Sequence, residues 1–142
     1  MADILIVDAD TGVLSTLGLL IAAEGYVVRT ATNGNDALDL ARASRPDVLI
    51  SDSRTPGLSG AALVREMRKD PVLASVPVIL AYNGALPPRV RVFRFLRKPL
   101  RYARLLKLLH RAEQVGARRD ARGHAGSWKV VRRNLKGEPK PG

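Results

Sequence analysis

Two short apolar runs in this chain each lead to an aspartate. Residues 4–7 are followed by Asp8, residues 48–51 are followed by Asp52, and a Lys98-Pro99 pair follows a third apolar run. If these runs are parallel strands, their carboxyl ends meet at one edge of a sheet, where such proteins place their chemistry. Two carboxylates and one ammonium would then share a pocket.

The elements that must position this trio follow from the hydrophobic pattern. Short apolar runs alternate with segments of helical periodicity, which is typical of repeated β-α units in an α/β fold. The predicted strands are residues 4–7, 26–30, 48–51, 76–81 and 93–96. The predicted helices are residues 11–24, a helix around 37–41, 61–68 and 100–114. Asp10 and Ser59 are expected to cap helices, and Gly25 is expected to end the first one.

Charge is distributed unevenly along the 142 residues. Residues 1–82 contain 7 Lys and Arg against 10 Asp and Glu, whereas residues 83–142 contain 17 against 3, and the net charge is +11. An acidic half that carries the candidate carboxylates is therefore followed by a strongly basic half. We expect one domain over residues 1–115 and a basic, flexible tail over 116–142.

Composition excludes several classes of protein. The chain has no cysteine, so disulfide frameworks and thiolate sites are ruled out. No apolar run approaches the length of a bilayer span, and the first residues lack the pattern of a secretion signal. We therefore expect a cytoplasmic protein without a membrane partner, and nothing indicates a multidomain enzyme.

These motifs together resemble a response-regulator receiver domain, the phosphoacceptor module of two-component signalling. The resemblance rests on Ile-Leu-Ile-Val-Asp at 4–8, Asn-Gly-x-x-Ala-Leu at 33–38, Asp52 with Pro56 and Gly60, Pro-Val-Ile-Leu at 77–80, and Lys98-Pro99. It implies a doubly wound, flavodoxin-like sheet of five parallel strands with helices on both faces. It also implies a non-enzymatic signalling role rather than a catalytic one.

The resemblance assigns roles to the trio. Asp52 would be the phosphoacceptor, and the Lys98 ammonium would pair with a phosphoryl oxygen. Magnesium would be held by Asp8, Asp52 and the backbone carbonyl of Arg54, because Mg²⁺ prefers hard oxygen ligands.

Ala9 is the first departure from the family pattern. Similar receivers carry two adjacent acidic residues after the first strand, whereas this chain has Asp8 and Ala9. Asp10 lies one residue further on and is expected to cap the following helix instead. We therefore expect a weakened Mg²⁺ site in an atypical member.

Tyr82 is the second departure, at a position where the family normally has Ser or Thr. Its phenol hydroxyl lies further from the backbone and cannot make the same bond to a phosphoryl group. Phe95 does occupy the aromatic position that accompanies this hydroxyl in the family's switch. Filling of the core is an equally good interpretation of Tyr82.

The third departure is the short connection at residues 83–94. It contains Pro87-Pro88 and alternates arginine with apolar residues, a pattern that suits an extended chain better than a helix. We predict that the fourth helix is shortened or absent. The surface around the fourth and fifth strands commonly docks partners in this family, so its change indicates a specialised partner or a homodimer.

Arg54 offers a second hypothesis for the pocket. Because it lies two residues after Asp52, its guanidinium could sit beside the carboxylates and partly replace the cation.

The two histidines and the basic tail are further candidates for function. Neither His110 nor His124 has a partner ligand near it in sequence, so we expect neither to serve in a phosphorelay or a metal site. The basic residues around Trp128 could bind nucleic acid, and the stretch at 128–131 could form a short strand or docking segment. A solvated tail is favoured because no DNA-binding motif is present.

The leading hypothesis is a stand-alone response regulator in phosphorelay signalling that acts through protein contact. Its partners would be a sensor histidine kinase or phosphotransfer protein and an output protein that the sequence does not name. The first alternative is a pseudo-receiver that works without phosphorylation, and the second is a nucleic-acid-binding regulator that acts through the tail. The sequence leaves phosphorylation, the pathway and the oligomeric state open.

Overall fold

The computed structural model describes residues 2–121, 132–133 and 139–140. Five strands form the main sheet: β1 (Asp3–Val7), β2 (Val27–Ala31), β3 (Val48–Asp52), β4 (Val78–Tyr82) and β5 (Arg94–Arg97). Four helices accompany them: α1 (Thr11–Ala23), α2 (Gly34–Ala43), α3 (Gly60–Lys69) and α4 (Tyr102–Ala121).

The sheet has the strand order β2-β1-β3-β4-β5, and every neighbouring pair is parallel. One apolar cluster places α1 and α4 against one face of the sheet, and a second cluster places α2 and α3 against the other. The five-stranded parallel sheet with helices on both faces agrees with the prediction.

Burial explains why the central strands are continuous apolar runs. Residues 4–7 in β1 and 78–82 in β4 are buried throughout, because helices cover both faces of the sheet. A strand covered on both sides shows no polar alternation. The unbroken apolar pattern is the sequence feature that predicts these central strands.

The helix ends follow the predicted capping chemistry. The Asp10 side chain accepts hydrogen bonds from the backbone N–H groups of Gly12 and Val13 at the start of α1. Ser59 does the same for α3 by accepting from Ala62. Gly25, just beyond α1, has a φ of 98°, which only glycine adopts without strain.

No helix lies between β4 and β5 in the described residues 83–93. The segment instead has no regular secondary structure, and the Phe93 N–H donates to the Val78 carbonyl at 2.8 Å, just before β5 begins. The short crossover therefore lacks the fourth helix that the family resemblance would otherwise supply.

The C-terminal region is described only in part. Helix α4 extends to Ala121, beyond the predicted helix end at 114 and the predicted domain boundary at 115. Arg132–Arg133 and Pro139–Lys140 form a two-stranded antiparallel pair. His124 and the segment 128–131 lie outside the described residues, so the predictions for the tail stay predictions.

None of the helices in the described part of the chain is long and apolar enough to cross a membrane. The cytoplasmic location stays a prediction.

One polar contact ties α4 to the start of β2. The Tyr26 hydroxyl lies 2.7 Å from His110 Nδ1 and donates to Glu113 Oε2 at 3.1 Å. Burial of Tyr26 and the neighbouring Glu113 carboxylate raise the pKa of the phenol to about 12. The neutral phenol is therefore the form that the fold stabilises.

Replacement of Tyr26 by Phe should lower the free energy of unfolding near neutral pH by about 1 kcal/mol, because it removes this shared hydrogen bond. The raised pKa means that the phenol's contribution is complete below the ordinary tyrosine pKa and is lost as the pH rises towards about 12. Urea denaturation at rising alkaline pH should show that the difference in unfolding free energy between the wild type and Tyr26→Phe becomes smaller. Parallel pH profiles of the two proteins would contradict this.

Candidate functional site

Asp8, Asp52 and Lys98 lie at the carboxyl edge of the sheet because backbone pairing continues to the end of each strand. The Asp8 N–H donates to the Ala31 carbonyl at 3.1 Å, and the Lys98 N–H donates to the Tyr82 carbonyl at 2.8 Å. Asp52 is the last residue of β3 and pairs in register with Ala81 of β4. Each side chain therefore begins from a backbone position that the sheet holds in place.

The three side chains meet in one cluster. The Lys98 Nζ lies 3.4 Å from Asp8 Oδ2 and 3.4 Å from Asp52 Oδ1. The side chains of Lys98, Asp8 and Asp52 are 25%, 10% and 15% exposed, respectively. The sequence prediction that two carboxylates and one ammonium share a pocket therefore agrees with the structure.

Electrostatics explains the arrangement. Two carboxylates on neighbouring strands would repel one another if water and counter-ions were largely excluded. A single ammonium between them offsets much of that repulsion and leaves one net negative charge. The cluster is therefore suited to binding a further cation, or to a reaction in which one carboxylate acts as the nucleophile.

The second oxygen of Asp8 is also engaged. Asp8 Oδ1 accepts the Asp10 backbone N–H at 2.9 Å, which orients the carboxylate. The side chain of Asp10 is exposed, and its Oδ1 is bonded to the first turn of α1. Asp10 therefore caps the helix, as predicted, and does not replace the acid that is missing at Ala9.

Among the described residues, only two carboxylates converge here, and this limits the donor set for a metal. Within residues 2–121 and the two short strands, no three His, Asp, Glu or Cys side chains are grouped so that they could hold a metal ion. Asp8 and Asp52 nevertheless supply hard oxygen donors, and Mg²⁺ often needs only one or two carboxylates besides water and phosphate.

Glycine shapes the loop after Asp52. A Cβ on Gly60 would lie 2.6 Å from the Asp52 carbonyl oxygen, which is closer than side-chain carbons approach. The Gly60 N–H also donates to the Ser53 carbonyl at 3.0 Å. The chain therefore needs glycine at this position to turn tightly behind the carboxylate.

The structure does not support the hypothesis that Arg54 supplies a cation to the pocket. Arg54 is exposed, and no ion pair joins its guanidinium to Asp8 or Asp52 in the described structure. Lys98 already occupies the space between the two carboxylates, so the positive charge comes from the end of β5 instead.

Tyr82 and Phe95 belong to the apolar cluster that packs α2 and α3 against the sheet. Both side chains are buried, and the Arg97 guanidinium carbon lies 5.6 Å from the centre of the Tyr82 ring. No hydrogen bond joins the Tyr82 hydroxyl to the acidic cluster within the described residues. Tyr82 therefore fills the core, as the second interpretation held, and its role in switching stays a prediction.

Arg68 is a structural residue that the sequence did not single out. Its guanidinium donates to the Arg91 carbonyl from Nε at 3.0 Å and from Nη2 at 2.8 Å, and to the Val76 carbonyl from Nη1 at 2.8 Å. These bonds join α3 to the irregular segment before β5. No local pattern distinguishes Arg68 from the other basic residues of its helix.

A family model identifies the domain. The model for the response regulator receiver domain matches residues 4–110, which include all of the main sheet except Asp3, the first residue of β1. The chain belongs to the response regulator receiver family. This places it among two-component signalling domains, which are not catalytic enzymes and which generally bind Mg²⁺ and partner histidine kinases.

Individual relatives agree with this assignment. The chain is 39% identical over 105 residues to the transcriptional regulatory protein GlrR of Escherichia coli, a match over 70% of this chain and 23% of that protein. It is 39% identical over 80 residues to the protein PilH of Pseudomonas aeruginosa, over 56% of this chain and 66% of that one. The chain thus spans about a quarter of the length of the first curated relatives that it matches.

Solved structures show the same receiver fold. The chemotaxis response regulator CheY4 of Vibrio cholerae superposes with a TM-score of 0.70 at 28% identity, covering 79% of this chain and 98% of that one.

Substitution of Lys98 by Ala should lower the free energy of unfolding by about 1 to 2 kcal/mol, because two nearly buried carboxylates would lose their shared counter-ion. In an Asp8→Asn, Asp52→Asn background, the same substitution should lower the free energy of unfolding by a smaller amount, because the repulsion between the carboxylates is then absent. Urea denaturation of the four proteins forms a double-mutant cycle. An equal cost in both backgrounds would show that Lys98 does not neutralise the pair.

Proposed function

We propose that this receiver accepts a phosphoryl group on Asp52 and passes the signal on through protein contact. The observation that carries the proposal is the position of the Lys98 ammonium, 3.4 Å from both Asp8 and Asp52. A cation held beside the acceptor carboxylate can pair with a phosphoryl oxygen at the moment when negative charge increases there.

The reaction follows from the chemistry of the acceptor. An Asp52 carboxylate oxygen would attack the phosphorus of a phosphohistidine on a sensor kinase or phosphotransfer protein. The new O–P bond forms as the P–N bond breaks, and its electron pair stays on the imidazole nitrogen, which takes up a proton. Lys98 would hold the phosphoryl oxygen, and Asp8 would hold Lys98 in place.

Magnesium would be held by Asp8, Asp52 and the Arg54 backbone carbonyl, and it would offset the charge of the phosphoryl group. We propose that this site is weak, because Ala9 supplies no carboxylate and the Asp10 side chain caps α1. Hard-cation affinity depends on the number and charge of the ligands.

We further propose that signalling in this atypical member uses a changed output surface. Phe95 is present, but the buried Tyr82 replaces the small hydroxyl of the family's switch, and the crossover before β5 has no helix. The region around β4 and β5 would then dock a specialised output protein or a second copy of this chain. The stand-alone organisation and the division at residue 115 stay predictions.

A pseudo-receiver that works without phosphorylation is the second candidate. The same two observations support it: one metal-binding carboxylate is absent, and the switch position is filled by a core tyrosine. In that case the Lys98 cluster would serve only to hold the loops in a fixed binding conformation. Nucleic-acid binding through the tail has no support from the described residues.

Incubation with a small phosphodonor and Mg²⁺ should add one phosphoryl group to the wild type, as read by intact mass. Asp52→Asn should gain none, because an amide is not a nucleophile for this step, while an Asp10→Asn variant should react like the wild type. No mass gain in the wild type would favour the pseudo-receiver.

Restoration of the missing acid gives an independent test. Ala9 is exposed, so Ala9→Asp should fold normally and should bind Mg²⁺ more tightly, on the order of tenfold. Isothermal titration with MgCl₂ measures this directly, and Ala9→Asn serves as a control of equal size without the charge. If the two variants bind alike, the missing carboxylate is not what limits metal binding.

A further inference from the structure

A basic pocket lies on the α3 side of the molecule, between the second half of α3 and the irregular segment 89–91. It is an open cleft with a volume of about 320 Å³, and it is bordered by Arg65, Arg68, Lys69, Arg89 and Arg91. Helix α3 begins behind Asp52 at the carboxyl edge of the sheet, and residues 89–91 precede the start of β5. The pocket therefore lies towards the amino edge of the sheet, away from the Asp52 site.

The pocket is built by the crossover that lacks a helix. Arg68 donates to the carbonyls of Arg91 and Val76, which ties the irregular segment to α3 and to the start of β4. Val90 is buried in the same apolar cluster as Val64 of α3. Both polar and apolar contacts therefore hold residues 89–91 against α3.

The rim of the pocket is positive. Arg65 and Arg89 are exposed and Arg91 is half-buried, and no carboxylate of the described residues forms an ion pair with any of these three. Lys69 pairs with Glu66 at 3.4 Å, but both side chains are well exposed, at 73% and 38%, so water weakens this interaction. None of the acidic residues in the described part of the chain lines the pocket.

Val64 and Val90 lie beneath the pocket and are 0% and 5% exposed, so the apolar surface that a ligand can reach belongs to the methylene stems of the basic side chains. Guanidinium groups recognise phosphate through paired N–H donors, and an apolar surface suits the ring of a small molecule. The volume lies at the lower end of the range for small-molecule sites, roughly 300 to 1,000 Å³. A concave site of this size fits one small ligand better than a polymer backbone, which needs an extended basic track.

We propose that this pocket binds a phosphate-bearing small molecule of about the size of a mononucleotide. The phosphate would be bound by Arg65, Arg89 and Arg91, and the uncharged part would lie against the methylene stems of the basic side chains that border the pocket. Arg68 is a positioning residue, because its guanidinium holds the wall rather than the ligand. This ligand site is independent of phosphoryl transfer at Asp52.

Isothermal titration of the full chain with ADP, pyrophosphate and adenosine tests the proposal. ADP should bind at least about tenfold more tightly than adenosine, and pyrophosphate should also bind, because the phosphates carry the interaction. Arg65→Gln combined with Arg89→Gln should weaken ADP binding at least about tenfold. Both side chains are exposed, so the double variant should melt like the wild type.

Arg104→Gln combined with Arg111→Gln is the matched control, because these exposed residues of α4 remove the same charge elsewhere. ADP affinity should be nearly unchanged in this control. Equal weakening in both double variants would show that only net charge attracts the anion and would overturn the proposal. Absence of ADP binding at millimolar concentration, or adenosine binding as tight as that of ADP, would overturn it too.

Discussion

The candidate site depends on one ammonium held between two carboxylates. Lys98 lies 3.4 Å from Asp8 and from Asp52, and each of these residues stands at the end of a different strand of the parallel sheet. The sheet register brings two carboxylates together at its carboxyl edge, and the lysine offsets the repulsion between them. The tight turn at Gly60 and the helix cap at Asp10 then shape the loops around the cluster. The same grouping would suit a phosphoryl group, because one acceptor oxygen and one cation already face each other.

Much of this fold could be predicted from the chain because the central strands are covered on both faces. Residues 4–7 and 48–50 appear as unbroken apolar runs, so Asp8 and Asp52 at their ends could be placed at the sheet edge. Pro87-Pro88 and the alternating arginines likewise indicated that the crossover before β5 would lack a helix. The caps at Asp10 and Ser59 were visible because capping needs a particular residue type at one position.

Other features depend on contacts between distant parts of the chain and leave no local pattern. Arg68 reaches carbonyls of the segment before β5, and Tyr26 meets His110 across 84 residues of sequence. The hypothesis that Arg54 supplies the cation failed for a related reason, since spacing alone does not show which way an exposed loop residue turns. The basic pocket beside α3 could not be predicted from the sequence either, because Arg65 and Arg89 come together only when the crossover before β5 packs on the helix.

A crystal structure of the chain grown with Mg²⁺ would show whether Lys98 is the shared counter-ion of the two carboxylates. We predict that the Lys98 ammonium lies within hydrogen-bonding distance of both Asp8 and Asp52, with any bound cation held by those two carboxylates, the Arg54 backbone carbonyl and water. Asp10 should remain on the first turn of α1. A structure in which Lys98 turns into solvent, or in which Asp10 leaves the helix to coordinate the metal, would show that the charge arrangement proposed for the site is wrong.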